Sequence, residues 1–183
     1  MFSETIERAL EVAAEAHDGQ GRRNRPGVPY LVHPIHIALI LTRLGCDETT
    51  VVAGILHDVV EDSDWSIERI EIEFGVEVRV VVDDLTEDKS KTWEERKQWA
   101  VDHVPHMDPR ARTIKAADKL HNLSSLARDL EAAENPDEVW AAFSRGREQS
   151  LEMSGRLVEV LAPHVQPELR SALEAAIAIL KRL

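Results

Sequence analysis

The segment Ile55-Leu56-His57-Asp58-Val59-Val60-Glu61-Asp62, ILHDVVED, sets one imidazole and three carboxylates among aliphatic residues that belong in a core. Val52, Ile55, Leu56 and Val59 recur at helical spacing, so the segment reads as the end of a helix that starts after Asp47 or Thr49. Residues three and four apart share a helix face. His57 with Glu61, Asp58 with Glu61 and Asp58 with Asp62 all have such spacings, which directs the four polar groups into one sector. Neighbouring carboxylates repel one another and lose hydration when turned inward. A divalent cation removes that difficulty; for the acids alone, a solvated helix surface is the competing reading.

Outward from this segment, most of the chain repeats apolar residues at helical spacing. Ile6, Leu10, Ala13 and Ala14 predict a helix running toward His17, after which HDGQGRRNRPGVPY breaks all periodicity as a loop of Gly, Pro and Arg. Pro34 suits the first turn of a helix that carries Ile37, Ala38, Leu41 and Leu44 and stops at Gly45. Ser66 is placed to cap a helix from Ile67 to Phe74, closed by Gly75. The run VEVRVVVDDL alternates like a strand, yet its context predicts helix. Thr92 with Glu95 and Asn135 with Glu138 have capping-box spacing, and Asp108-Pro109 opens a helix through Ile114, Ala117, Leu120 and Leu123. A last helix occupies residues 167–183. No internal repeat or linker interrupts the pattern, so the expectation is an all-α bundle forming a single domain over residues 1–183.

The 183 residues include 43% hydrophobic ones, and no apolar run approaches the roughly 18 residues that span a bilayer. The first twenty residues carry acids rather than a basic, greasy export signal, so a cytoplasmic protein with no membrane association is expected. The one cysteine, Cys46, has no partner for an internal disulfide and reads as a small hydrophobe. A net charge of −12 argues against nucleic-acid binding, which needs a basic face. A small anionic substrate is still allowed if cations or a metal gather locally. Sequence leaves the oligomeric state open.

Two further stretches supply metal-type donors. YLVHP places His33 at a helix start, and AADKLHN sets Asp118 among apolar residues of a later helix. His33, His57, Asp58 and Asp118 would form a mixed nitrogen and oxygen set suited to Mn, Fe or Zn more than to Mg or Ca. The competing readings are a capping role for His33 and an ion pair of Asp118 with Lys115 or Arg22.

The ordered set HDGQ, GVPYLVHP, GILHDVVED, FGVEV, DLTEDK and IKAADKLHNL resembles the HD-domain phosphohydrolases of the RelA/SpoT type, in particular the single-domain small alarmone hydrolases of the metazoan SpoT-homologue kind. The likeness spans about residues 5–160. It implies an all-α HD bundle holding one Mn²⁺, with Fe or Zn as alternatives, through His33, His57, Asp58 and Asp118. It also implies catalytic roles for Glu61 and Asp62, Glu61 being the first choice for general base with the reverse assignment open. Arg22, Arg23, Tyr30 and Asn122 match substrate-contacting positions, and Arg25 is a weaker match. Where many relatives carry Lys at the second basic position this chain has Arg23.

The activity implied is removal of the 3′-pyrophosphate from guanosine alarmones such as ppGpp, with no part of the chain left for a synthetase. The same site acting on adenosine analogues, or as an NADPH 2′-phosphatase, is the enzyme alternative; a nucleotide-binding regulator without turnover is the alternative of another class. Lys89, Lys91, Arg96 and Lys97 form a second positive rim, or else pair within their helix. His103 and His106 read as structural or surface residues, Trp93 and Trp99 as packing residues, and Trp65 as either lid or core.

Overall fold

The apolar periodicities become helices in a computed structural model, which describes residues 2–23 and 25–183. Among them eleven α-helices follow in chain order: α1 Glu4–Ala16, α2 Val32–Arg43, α3 Glu48–Leu56, α4 Val59–Asp62, α5 Ile67–Phe74, α6 Val76–Leu85, α7 Trp93–His103, α8 Pro109–Ala132, α9 Pro136–Ala141, α10 Gly146–Leu161 and α11 Pro167–Leu180. No helix among the described residues is long and apolar enough to cross a membrane.

Side-chain caps set many of the ends. Asp47 accepts from the Thr50 N–H at the start of α3, and Ser66 from that of Arg69 at the start of α5. Thr92 and Glu95 close a reciprocal capping box on α7. Asn135 also caps its helix, but Glu138 accepts from the Asn135 side chain rather than its backbone, so the second expected box does not close. Gly75 takes φ 87°, a left-handed conformation open to glycine, where α5 turns into α6. The Val-rich run is helix α6: Val78, Val81, Val82 and Leu85 fall on one buried stripe, and packing overrides strand propensity.

Helix α8 organises the bundle, packing against α2, α3, α6, α10 and α11. Its fully buried Ile114 and Ala117 join Ile37 and Leu41 of α2 and Ile55 and Leu56 of α3 in one core. Trp65 is a core residue too, buried with the Arg69 guanidinium 3.6 Å over its ring. His103 is structural as expected: its Nε2 lies 3.1 Å from Asp84 Oδ1, and Trp99 stacks on it with the indole partly exposed.

One departure from the sequence reading shapes the site. The helix expected to carry His57 through Asp62 on one continuous face is interrupted: α3 ends at Leu56, His57 and Asp58 form a turn, and α4 resumes at Val59. Between α1 and α2, residues 17–23 and 25–31 form a small hairpin joined by an isolated antiparallel bridge between Gly21 and Pro29. Gln20 fastens this hairpin to the interrupted helix by donating to the Asp62 carbonyl at 2.9 Å, while its Oε1 meets His17 Nδ1 at 3.0 Å.

Where α2 and α3 cross, Gly54 leaves no room for a side chain, since an added Cβ would collide with Leu41 Cδ1 and lie 3.5 Å from Ile37 Cγ2. Both neighbours are fully buried. Gly54→Val should therefore lower stability by about 1–3 kcal/mol through overpacking. Chemical denaturation checks this, and an unchanged midpoint would mean that α2 and α3 are free to separate.

Candidate metal centre

The interruption after Leu56 turns the His57 ring into the protein. It is 5% exposed, and its Nδ1 lies 2.9 Å from the Gly54 carbonyl oxygen. A carbonyl only accepts, so Nδ1 carries a proton and Nε2 is the nitrogen aimed at the site. Nε2 lies 3.0 Å from Asp58 Oδ2, and this buried atom has no hydrogen-bond partner among the described residues. His33 is not a cap. It lies within α2, 1% exposed, with its ring 5.2 Å from that of His57. Ligand atoms of His33, His57 and Asp58 all fall within 4.8 Å of one another.

Asp118 enters from α8. Its Oδ1 lies 3.2 Å from His33 Nε2 and accepts from Asn122 Nδ2 one turn along the helix, so neither Lys115 nor Arg22 is its ion-pair partner. Tyr30, at the end of the hairpin, donates its hydroxyl to Asp58 Oδ2. The structure thus gathers His33, His57 and Asp58 into one cluster of metal-type donors and sets Asp118 beside it against His33, with Tyr30 and Asn122 each bonded to one of the carboxylates. Two imidazoles and two carboxylates, one imidazole nitrogen buried without a hydrogen bond, fit a divalent transition metal.

The charges tell the same story. Burial opposes an ionised Asp58, but the His57 ring outweighs it and holds the carboxyl down to about 2. Asp118 is held below the carboxylate range against burial by the two imidazoles. Burial likewise opposes the charged form of His57, yet Asp58 and Asp118 raise its pKa to about 9.

Glu61 and Asp62 line the same cavity, of about 340 Å³, as the four donors. Both are held by the loop after α6. The Glu87 N–H donates to Glu61 Oε1 at 2.7 Å, and Lys89 Nζ lies 2.6 Å from Asp62 Oδ1. Burial raises the Glu61 pKa, and the Glu87 N–H partly offsets it. The expected positive rim holds in part: Arg96 and Lys97 line the donor cavity and its neighbour, paired with Glu87 of the loop rather than within their own helix, whereas Lys89 clamps Asp62.

Two more cavities, of about 420 and 370 Å³, share walls with this one. Arg22 lines the larger and donates to Asn122 Oδ1 at 3.1 Å, with its guanidinium 5.5 Å from the Tyr30 ring. Arg23 borders all three cavities and lies 5.1 Å over Phe143. Arg25 is committed to Asp129 and the Ser125 carbonyl instead, away from the donors. Trp93, expected only to pack, lines the 370 Å³ cavity.

A family model for the HD domain matches residues 9–149. The chain belongs to the HD-domain family. It is 43% identical over 122 residues to the human guanosine-3′,5′-bis(diphosphate) 3′-pyrophosphohydrolase MESH1, covering 66% of this chain and 68% of that protein. It is 41% identical over 125 residues to a GTP pyrophosphokinase of Streptomyces coelicolor, of which it spans only 14%. A solved structure of a metazoan ortholog of SpoT that hydrolyzes ppGpp superposes with a TM-score of 0.84 at 32% identity, over 97% of this chain and 96% of that one.

Three residues of this HD domain gave no clear signal in sequence. His121 sits behind His33, the two Nδ1 atoms 2.8 Å apart, and burial followed by His33 and Arg22 drives its pKa down to about 3, so it stays neutral. Its place one turn beyond Ala117 on the inward face of α8 was the available clue. His17 packs 4.7 Å from the Tyr30 ring and anchors Gln20. Lys115, considered only as a partner for Asp118, is buried in the cavity wall.

A metal replacing the His57 proton should bind more weakly as pH falls, because with a pKa of about 9 the ring is protonated at neutral pH. Affinity for a divalent cation should tighten about tenfold per pH unit between about pH 6 and 9, as expected when one proton is released per ion. Calorimetric titration at several pH values tests this, and a constant affinity would place the ion elsewhere.

Proposed function

We propose that this protein is a Mn²⁺-dependent hydrolase that removes the 3′-pyrophosphate from guanosine alarmones, converting ppGpp and pppGpp to GDP and GTP. The observation that carries the proposal is a single cavity lined by His33, His57, Asp58, Asp118, Glu61 and Asp62 and opening onto cation-lined space. The human relative named for this reaction supports the substrate class. His33, His57, Asp58 and Asp118 hold the ion, which when bound lowers the pKa of water and neutralises phosphate oxygens. The mixed imidazole and carboxylate donors suit Mn, Fe or Zn more than Mg or Ca, and Mn²⁺ is the ion proposed.

Glu61 is the general base. Its burial raises its proton affinity, it lines the donor cavity, and the Glu87 N–H fixes one carboxylate oxygen while the other is available. Asp62, clamped by Lys89, positions rather than abstracts. As the water oxygen bonds to the phosphorus attached to the ribose 3′ oxygen, Glu61 takes one water proton. The bond from phosphorus to the 3′ oxygen breaks, that oxygen takes a proton from solvent to become a hydroxyl, pyrophosphate leaves carrying the water oxygen, and Glu61 releases its proton to solvent. Phosphoryl transfer depends mainly on positioning and charge stabilisation, which suits a site with one base and many fixed charges. Arg22, Arg23, Tyr30 and Asn122 surround the nucleotide, Arg22 and Asn122 already forming one hydrogen-bonded unit.

The experiment supplies ppGpp, ppApp and NADPH to the Mn²⁺-loaded protein and identifies the phosphorus product. Pyrophosphate with GDP, and preference for ppGpp in direct competition with ppApp, is expected; orthophosphate from NADPH alone, or binding without turnover, would overturn the proposal. In the same assay Glu61→Gln should lower kcat by about 10²–10⁴-fold while still binding metal.

A further inference from the structure

In an acidic chain of net charge −12, most cations around the cleft already have partners. Arg22 bonds Asn122, Arg25 pairs with Asp129, Lys89 with Asp62, and Arg96 and Lys97 with Glu87. Lys115 is the exception that is also buried. It is 8% exposed, makes no hydrogen bond or ion pair among the described residues, and lies in the wall shared by the donor cavity and the adjoining 370 Å³ cavity.

Sinking an ammonium into protein without a paired acid costs stability. Glu87 and Asp118 are near enough to favour the ammonium, but neither is its ion-pair partner, since Glu87 is held by Arg96 and Lys97 and Asp118 by His33 and Asn122. Lys115, Asp118, Lys119 and Asn122 have spacings of three and four and form one stripe of α8 that faces the cleft. Lys119 on this stripe and Arg23 from the hairpin border the same 370 Å³ cavity, and neither has a carboxylate partner among the described residues. A compact ammonium with three donors suits a phosphoryl group. A single divalent cation leaves a pyrophosphoryl chain with net negative charge, so its terminal group needs donors besides the metal ligands.

We propose that Lys115 anchors the terminal phosphoryl group of the chain being cleaved, with Lys119 and Arg23 completing a pyrophosphate site beside the metal centre. The substrate in this statement rests on the function proposed above; the anion site does not.

The test measures binding of inorganic pyrophosphate to the Mn²⁺-loaded full chain by calorimetry, in the wild type and in Lys115→Met, which keeps the apolar stem. Pyrophosphate binding should weaken at least about tenfold in the variant, the scale of one lost hydrogen bond to a charged group, while Mn²⁺ affinity is unchanged. Equal pyrophosphate affinity in both proteins would overturn the site. If pyrophosphate binding depends on Lys115 but ppGpp is not hydrolysed, the anion site stands and the assigned reaction fails. If ppGpp is hydrolysed and Lys115→Met leaves KM, kcat and pyrophosphate affinity intact, the reaction stands and the site fails. Should Lys115→Met not fold, the Lys115 Nζ resonance of the wild type gives the answer: it should shift on adding pyrophosphate, and an unmoved signal would exclude contact.

Discussion

The hydrogen bond between His57 Nδ1 and the Gly54 carbonyl is the constraint on which the centre depends. Gly54 lies in the last turn of α3, where a helix leaves carbonyls without intrahelical donors. By stopping α3 at Leu56, the chain lets the His57 ring donate to one of them, which fixes the tautomer and points Nε2 at Asp58 and His33. The absence of a side chain at Gly54 lets α2 come close enough to deliver His33 to the same place. One glycine thus serves both the packing of two helices and the orientation of two imidazoles.

Around this point the protein uses its elements as rigid supports for charges that repel one another. α8 delivers Asp118 and Asn122 together, the hairpin brings Tyr30 to Asp58, and the loop after α6 holds Glu61 by a backbone N–H and Asp62 by Lys89. The Asp58 and Asp118 carboxylates raise the His57 pKa to about 9, so the cluster favours a positive charge at its centre. Any ion that binds the folded centre and not the unfolded chain therefore stabilises the fold as well as completing the site. The same supports explain why the acids in ILHDVVED coexist with a core: Ile55, Leu56 and Val59 pack inward while the polar residues meet partners from four other parts of the chain.

Much of this was legible in the residues. Helical periodicity and capping residues such as Ser66, Thr92 and Asp108 marked the all-α bundle, and even the strand-like α6 followed from its context. His33, His57, Asp58 and Asp118 stood out as candidate donors because ionisable groups were embedded in apolar stretches, and the family resemblance joined them into one set. What sequence did not reveal was long-range pairing. The break at His57 depends on a ring reaching back to its own helix, which regular spacing does not encode. Arg25 was already the weakest match of the three hairpin arginines, but only the fold ties it to Asp129 and separates Arg22, bonded to Asn122, from Arg23 at the cavity junction. Lys89 looked like a substrate-facing cation because the loop that folds it onto Asp62 has no local signature.

The most direct measurement of the central claim is anomalous diffraction from crystals grown with Mn²⁺, recorded so that manganese scatters distinctively. A single strong peak in coordination contact with His33 Nε2, His57 Nε2 and the Asp58 and Asp118 carboxylates is the predicted result. A peak held by other residues, or none in crystals whose solution contains ample Mn²⁺, would contradict the assignment of this cluster as the metal centre.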